Sequence, residues 1–88
     1  MPSLWVAELA ISARTAEKLR RKHQLEPDDV RDALVCVRGL RFVVEDEPSY
    51  HVIVEFWLGR DRMLASLYPN AGMAEDAWNL ASAYRVGR

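Results

Sequence analysis

The groups in this 88-residue chain with chemistry to offer are His23, His51, Arg60, Arg62, Ser82, Tyr84 and Arg85. Histidine exchanges protons near neutral pH. Arginine grips a phosphate through two parallel hydrogen bonds. A second cationic set, Arg14, Lys18, Arg21 and Lys22, falls within one short stretch. Each candidate also has a plain structural use. His23 closes the apolar face of a predicted helix, where packing or capping suits it. His51 opens a strand and fits an exposed cross-strand position. Arg60 and Arg62 flank a turn. Ser82 and Tyr84 fall on the same face of an alternating segment as Trp78 and Leu80, which fits a core role with satisfied hydroxyls. Arg85 stands where a terminus would fray, and a basic helix face is most often a solvated one. The two histidines and Cys36 lie too far apart for metal-ligand spacing. Neither a glycine-rich phosphate loop nor a nucleophile elbow occurs. No metal or cofactor is therefore expected.

The elements that must position these groups centre on Tyr50 to Pro69. Val52, Val54, Phe56 and Leu58 share one face of a strand, and His51, Ile53, Glu55 and Trp57 share the other. That period of two, rich in β-branched and aromatic residues, predicts a strand over Tyr50–Leu58. Gly59-Arg60-Asp61 supplies a hairpin turn. The second strand, Arg62–Tyr68, is apolar nearly throughout, which predicts a central strand covered on both faces.

Leu4 to Ile11 alternates and predicts a first strand. Ser12 can then cap a helix running to about Gln24. Pro27 suits a first helical position, and Asp28 and Asp29 suit the first turn beside the helix dipole. Val30, Ala33, Leu34 and Val37 follow as an apolar stripe, with Gly39 as the expected stop. Leu40–Glu45 is a further strand, followed by a polar turn closed by Pro48. Glu75–Val86 fits a helix by its alanines and a strand by its alternation. Composition does not separate the two.

The totals describe an ordinary single domain over residues 1–88 with a small core: 50% of residues are apolar and 28% charged. A net charge of −1 gives no global attraction for nucleic acid, yet the charges are segregated. Arg14, Lys18, Arg20, Arg21 and Lys22 face Glu17 alone, whereas Glu26, Asp28, Asp29 and Asp32 surround Arg31. A local basic surface of this kind can bind RNA or an acidic partner. Lone Cys36 precludes an intrachain disulfide and fits a reducing cytoplasm. No apolar run approaches the roughly 20 residues of a membrane span, and Glu8 interrupts what would be a poor signal peptide.

Two helices inserted after one strand, then an antiparallel meander, resemble the RelE/ParE-like toxin fold. The chain more closely resembles BrnT-type toxins of bacterial toxin–antitoxin pairs. Lys22-His23-Gln24-Leu25 with Pro27-Asp28-Asp29-Val30 and Ala33 is similar to that family's lysine-histidine-glycine-valine turn and second helix. Gly59-Arg60-Asp61-Arg62-Met63-Leu64 is similar to its glycine turn and core strand, and Leu80-Ala81-Ser82-Ala83-Tyr84-Arg85 to its terminal strand. Three positions depart from the pattern. Gln24 replaces the glycine, Tyr84 holds the place of the terminal arginine with Arg85 one later, and His51 stands near an expected arginine.

The resemblance implies an α+β fold, β-α-α-β-β-β(-β), with an antiparallel sheet, two helices on one side and a terminal strand rather than a helix. It implies metal-independent RNA cleavage by His23, His51, Arg60, Arg62, Ser82, Tyr84 and Arg85, with Arg14, Lys18, Arg21 and Lys22 on the RNA backbone. It further implies inhibition by a cognate antitoxin protein. The alternative is a non-catalytic or self-associating module of the same fold, a homodimer included. Trp57 and Ile53 on the mixed hairpin face would anchor such an interface.

Overall fold

A period of two is satisfied only when one set of side chains finds cover. In β3 (His51–Leu58) Val52, Val54 and Phe56 are buried, and Trp57, next after Phe56 and on the other side of the pleat, is exposed. The structure is a computed structural model and describes residues 3–72 and 75–86. Its elements are β1 (Glu8–Ala10), α1 (Ala13–His23), α2 (Pro27–Leu34), β2 (Arg41–Glu45), β3, β4 (Asp61–Pro69) and β5 (Ala77–Arg85). They form an α+β fold with a five-stranded sheet in the order β1-β5-β4-β3-β2. The final segment is a strand. β4 is central, as its apolar composition predicts. The sheet is mixed: the meander β2-β3-β4-β5 is antiparallel, and β1 docks parallel to β5.

Local chemistry sets the element ends. Ser12 Oγ accepts the Thr15 N–H at 3.1 Å and caps α1. Gln24 leaves α1 in the left-handed conformation, φ 53°, and Leu25 N–H reaches back to Leu19 O at 3.0 Å. That closure normally uses glycine. α2 starts at Pro27 as expected but stops at Leu34, short of Gly39. Val35 is extended and Cys36 is left-handed, with its N–H held by Val6 O at 2.8 Å. Val37 therefore lies beyond the helix whose stripe it extended in the sequence. The β3–β4 turn has positive φ at Gly59 and not at Arg60, the glycine-first pattern of a II′ hairpin turn.

Two breaks in alternation shift side chains from their expected faces. Ala7 and Glu8 both direct their N–H groups at Asp76 O, 2.9 and 3.4 Å away, and the chain bends there. Val6 and Leu9 are consequently both buried, though they differ in parity. In β5 the pairing jumps from Leu67↔Leu80 to Ser66↔Ser82, which leaves Ala81 as a bulge. Leu80 and Trp78 pack on the core, whereas Ser82 and Tyr84 turn to the opposite face. The expectation that all four share one face fails for this reason.

Both helices cover one side of the sheet, α1 over β5 and α2 over β3. Leu19, Val30 and Leu34 meet Phe56, Met63 and Leu67 in the core. No helix packs on the opposite side among the described residues, where the segment before β3 reaches only as far as His51 through Ser49, so β4 lacks the second covering layer that its composition suggested. Leu64, Ser66 and Tyr68 are half-buried there by their sheet neighbours, and Arg62 is exposed. No helix among the described residues is long and apolar enough to cross a membrane.

Candidate functional site

The uncovered face collects alternate residues of four strands. Arg41, Val43 and Glu45 come from β2; His51, Ile53, Glu55 and Trp57 from β3; Arg62, Leu64, Ser66 and Tyr68 from β4; Ser82 and Tyr84 from β5. Glu55 sits at its middle, directly opposite Arg41 on one side and Leu64 on the other. Its carboxylate accepts a hydrogen bond from Arg62 Nε and lies 3.9 Å from Arg41 Nε. The hydrogen bond from Arg62 holds the Glu55 carboxyl below its usual range, and the nearby charges of Arg62 and Arg41 add to this against an opposing cost of burial. Glu55 is thus a fixed anion that neutralises two arginines, and it is poorly suited to accept a proton near neutral pH.

Beside this charged ladder the face is apolar. A hollow of about 280 Å³ is lined by Val43, Ile53 and Leu64 together with Phe42, Arg41, Glu55 and Arg62. Trp57, opposite Arg62, is 55% exposed, Val43 57% and Tyr84 40%. Large apolar groups around a hollow with a polar rim suit a protein contact. Trp57 and Ile53 lie on this face as the sequence predicts. Glu55, Arg41, Leu64 and Val43 were not among the sequence-derived candidates. The one available signal was Glu55 itself, a carboxylate between Ile53 and Trp57 in an otherwise apolar strand.

The candidate catalytic residues are spread over two faces. His51 is buried, 7% exposed, and not on open surface. Its Nδ1 lies 2.7 Å from Ser49 O, and its ring stacks on Tyr68 with centroids 4.8 Å apart. A carbonyl partner makes Nδ1 the protonated nitrogen. Six residues of strand, roughly 20 Å, separate His51 from Trp57 at the other end of β3. Arg62 is committed to Glu55. Tyr84 faces Leu64, and Ser82 faces Ser66.

Arg85 belongs to the helix-facing side, opposite Met63. It is not frayed: Nε donates to Asp61 Oδ2 at 3.1 Å and Nη1 donates to His23 O at 3.0 Å. His23 therefore meets Arg85 through its backbone, and the sheet separates both from Arg62 and Tyr84.

One end of the molecule gathers charges of both signs. The β3–β4 turn with Arg60, the ends of β4 and β5 with Arg62 and Arg85, and the last turn of α1 with Arg21 and Lys22 meet there, and Asp29 and Asp32 of α2 line a hollow with Leu58 and Gly59 beside the same turn. Arg62 and Arg85 are paired with Glu55 and Asp61, and Arg20 with Glu26. Arg60, Arg21 and Lys22 form no ion pair among the described residues. Arg14 is also exposed on α1, and Lys18 is half-buried. No three histidine, cysteine or acidic side chains converge as a metal-ligand group among the described residues.

No protein-family model, curated protein or solved structure matches this chain.

Proposed function

We propose that this chain is a non-catalytic binding module that docks a partner protein on the open face of its sheet. The observation that carries the reading is the apolar strip of Val43, Ile53 and Leu64 beside the Arg41–Glu55–Arg62 ladder, with exposed Trp57 and Tyr84 at strand positions of the same face. Tryptophan and tyrosine dominate contact energy when a partner desolvates them. The ladder offers register and charge selection at its edge. The product of an adjacent gene, in the position of an antitoxin, is the partner this reading expects. Calorimetric titration with that protein tests it. Binding should be saturable and should fall by at least tenfold in Trp57→Ala and Leu64→Arg. Equal binding by both variants would remove the open face from consideration.

Three bases without an ion-pair partner among the described residues, Arg60, Arg21 and Lys22, favour a second reading, metal-independent cleavage of RNA. Arg60, Arg21 and Lys22 are its cleanest probes, because Arg85 is tied into the fold. Purified chain incubated with RNA in EDTA should then cleave only strands bearing a 2′-hydroxyl. Arg60→Ala should lower turnover while leaving the melting temperature unchanged. Intact RNA in the presence of well-folded chain leaves the binding module as the reading.

A further inference from the structure

β2 ends the sheet, with β3 on one side and no strand on the other among the described residues. Edge strands are commonly blunted by charged side chains, lysine above all, by proline, a bulge or a covering loop, because their open backbone groups otherwise template pairing with another chain. In Arg41-Phe42-Val43-Val44-Glu45 the charges stand only at the two ends, of opposite sign, and there is no lysine or proline. Its register against β3 runs without a break, and Val43 and Val44 are both half or more exposed.

The outward backbone groups follow from the hairpin. Leu58 and Asp61 flank its two-residue turn, so they are the pair that exchanges both backbone bonds, and bonded and non-bonded pairs alternate from there. Even-numbered residues of β3 thus bond to β4. Odd-numbered Glu55, Ile53 and His51 bond to Arg41, Val43 and Glu45. The N–H and C=O groups of Phe42 and Val44 are left facing outward.

We propose that this edge pairs antiparallel with the same edge of a second copy, on a two-fold axis through Val43. In that register Phe42 exchanges both backbone bonds with Val44 of the second copy, and the reciprocal pair does the same. Val43 meets its own counterpart in the closely spaced, non-bonded position. Arg41 lies opposite Glu45 of the second copy. The segment is basic at its start, with Arg38 and Arg41, and acidic at its end, with Glu45, Asp46 and Glu47. Antiparallel self-pairing therefore sets opposite charges together at both ends, whereas parallel pairing would set like on like. Arg41, Val43 and Glu45 belong to the open face, so the two copies present it as one continuous surface. A junction of one five-residue strand falls well short of the roughly 20–30 residues a side of a stable interface, so the dimer is weak and forms toward millimolar protein.

This goes beyond the docking of a partner protein: it concerns the strand edge, and charge reversals there test it independently of Trp57 and Leu64. Sedimentation of the whole chain over a range of concentrations, with Arg41→Glu and Glu45→Arg alone and mixed, is the experiment. The wild type should dimerise with concentration, and hydrogen exchange of the Phe42 and Val44 amides should slow in step. Each reversal alone places like charges at both contacts and should raise the dissociation constant about tenfold or more. An equimolar mixture of the two variants should regain wild-type association, since every reversed side chain then meets an opposite charge. Misfolded variants would not be rescued by mixing. A monomer at all concentrations, a dimer without protection at Phe42 and Val44, or a mixture no tighter than its components would overturn the proposal.

Discussion

Phe56 and Trp57 are adjacent in sequence and on opposite faces of β3, so truncating each in turn measures whether the sheet has one covered face or two. Phe56 is 2% exposed and lies opposite Met63 in the core. Removing a ring that buries about 150–200 Å² forfeits roughly 4 kcal/mol at ~25 cal/mol per Å². The cavity left behind keeps Phe56→Ala in the range of about 3–5 kcal/mol. For a domain of this size 1 kcal/mol moves the melting point by about 4–8 °C, so a fall of at least 12 °C is expected. Trp57 is 55% exposed, with Arg62 opposite it in the strand pair. Trp57→Ala should cost roughly 2 kcal/mol, since only about 100 Å² of it is covered at the same ~25 cal/mol per Å² and no enclosed cavity is left. Urea titrations of both variants, at concentrations low enough to exclude association, give the two values. Comparable losses at Phe56 and Trp57 would mean that the Trp57 face is packed within the monomer, and the open-face reading would be lost. A near-wild-type Phe56→Ala would refute the placement of the core itself.

Three further outcomes follow from local geometry. Gln24→Gly should stabilise the fold by ~0.5–1 kcal/mol, because Gln24 is exposed and held at φ 53°, where a side chain is strained and glycine is not; thermal melts check it. Glu55→Gln should flatten the acid limb of the stability curve. The folded-state pKa of Glu55 is lowered, so its contribution is complete above the ordinary carboxylate pKa and is lost as pH falls through the lowered value; urea midpoints measured from neutral pH into acid would show the difference, and parallel curves would contradict it. Arg85→Ala should cost about 1 kcal/mol by releasing His23 O and Asp61, both at exposed sites, whereas Arg60→Ala should leave the melting point within experimental error.

Much of the architecture is set by neighbours in the chain, and that part was legible beforehand. The alternation of β3, the glycine turn, the Ser12 cap and the Pro27 start each depend on side chains within a few residues of one another, so composition and spacing suffice. The central place of β4 also follows from its own apolar residues. The rest depends on segments far apart in sequence. α2 stops early because the Cys36 N–H is taken by Val6 O. The faces of β1 and β5 switch at Ala7 and Ala81, where hydrogen bonds to another segment, rather than the residue types, define a bend or a bulge. His51 is buried with the Tyr68 ring stacked on it, a neighbour from another strand. Arg85 is anchored by a carbonyl 62 positions away. The candidate site has the same origin. Glu55 reads in sequence as the polar member of an alternating strand, and only pairing with β2 and β4 sets Arg41 and Arg62 around it. Which sheet face stays open is likewise a tertiary outcome, because α1 and α2 cover only one side of a sheet whose central strand is apolar enough for both.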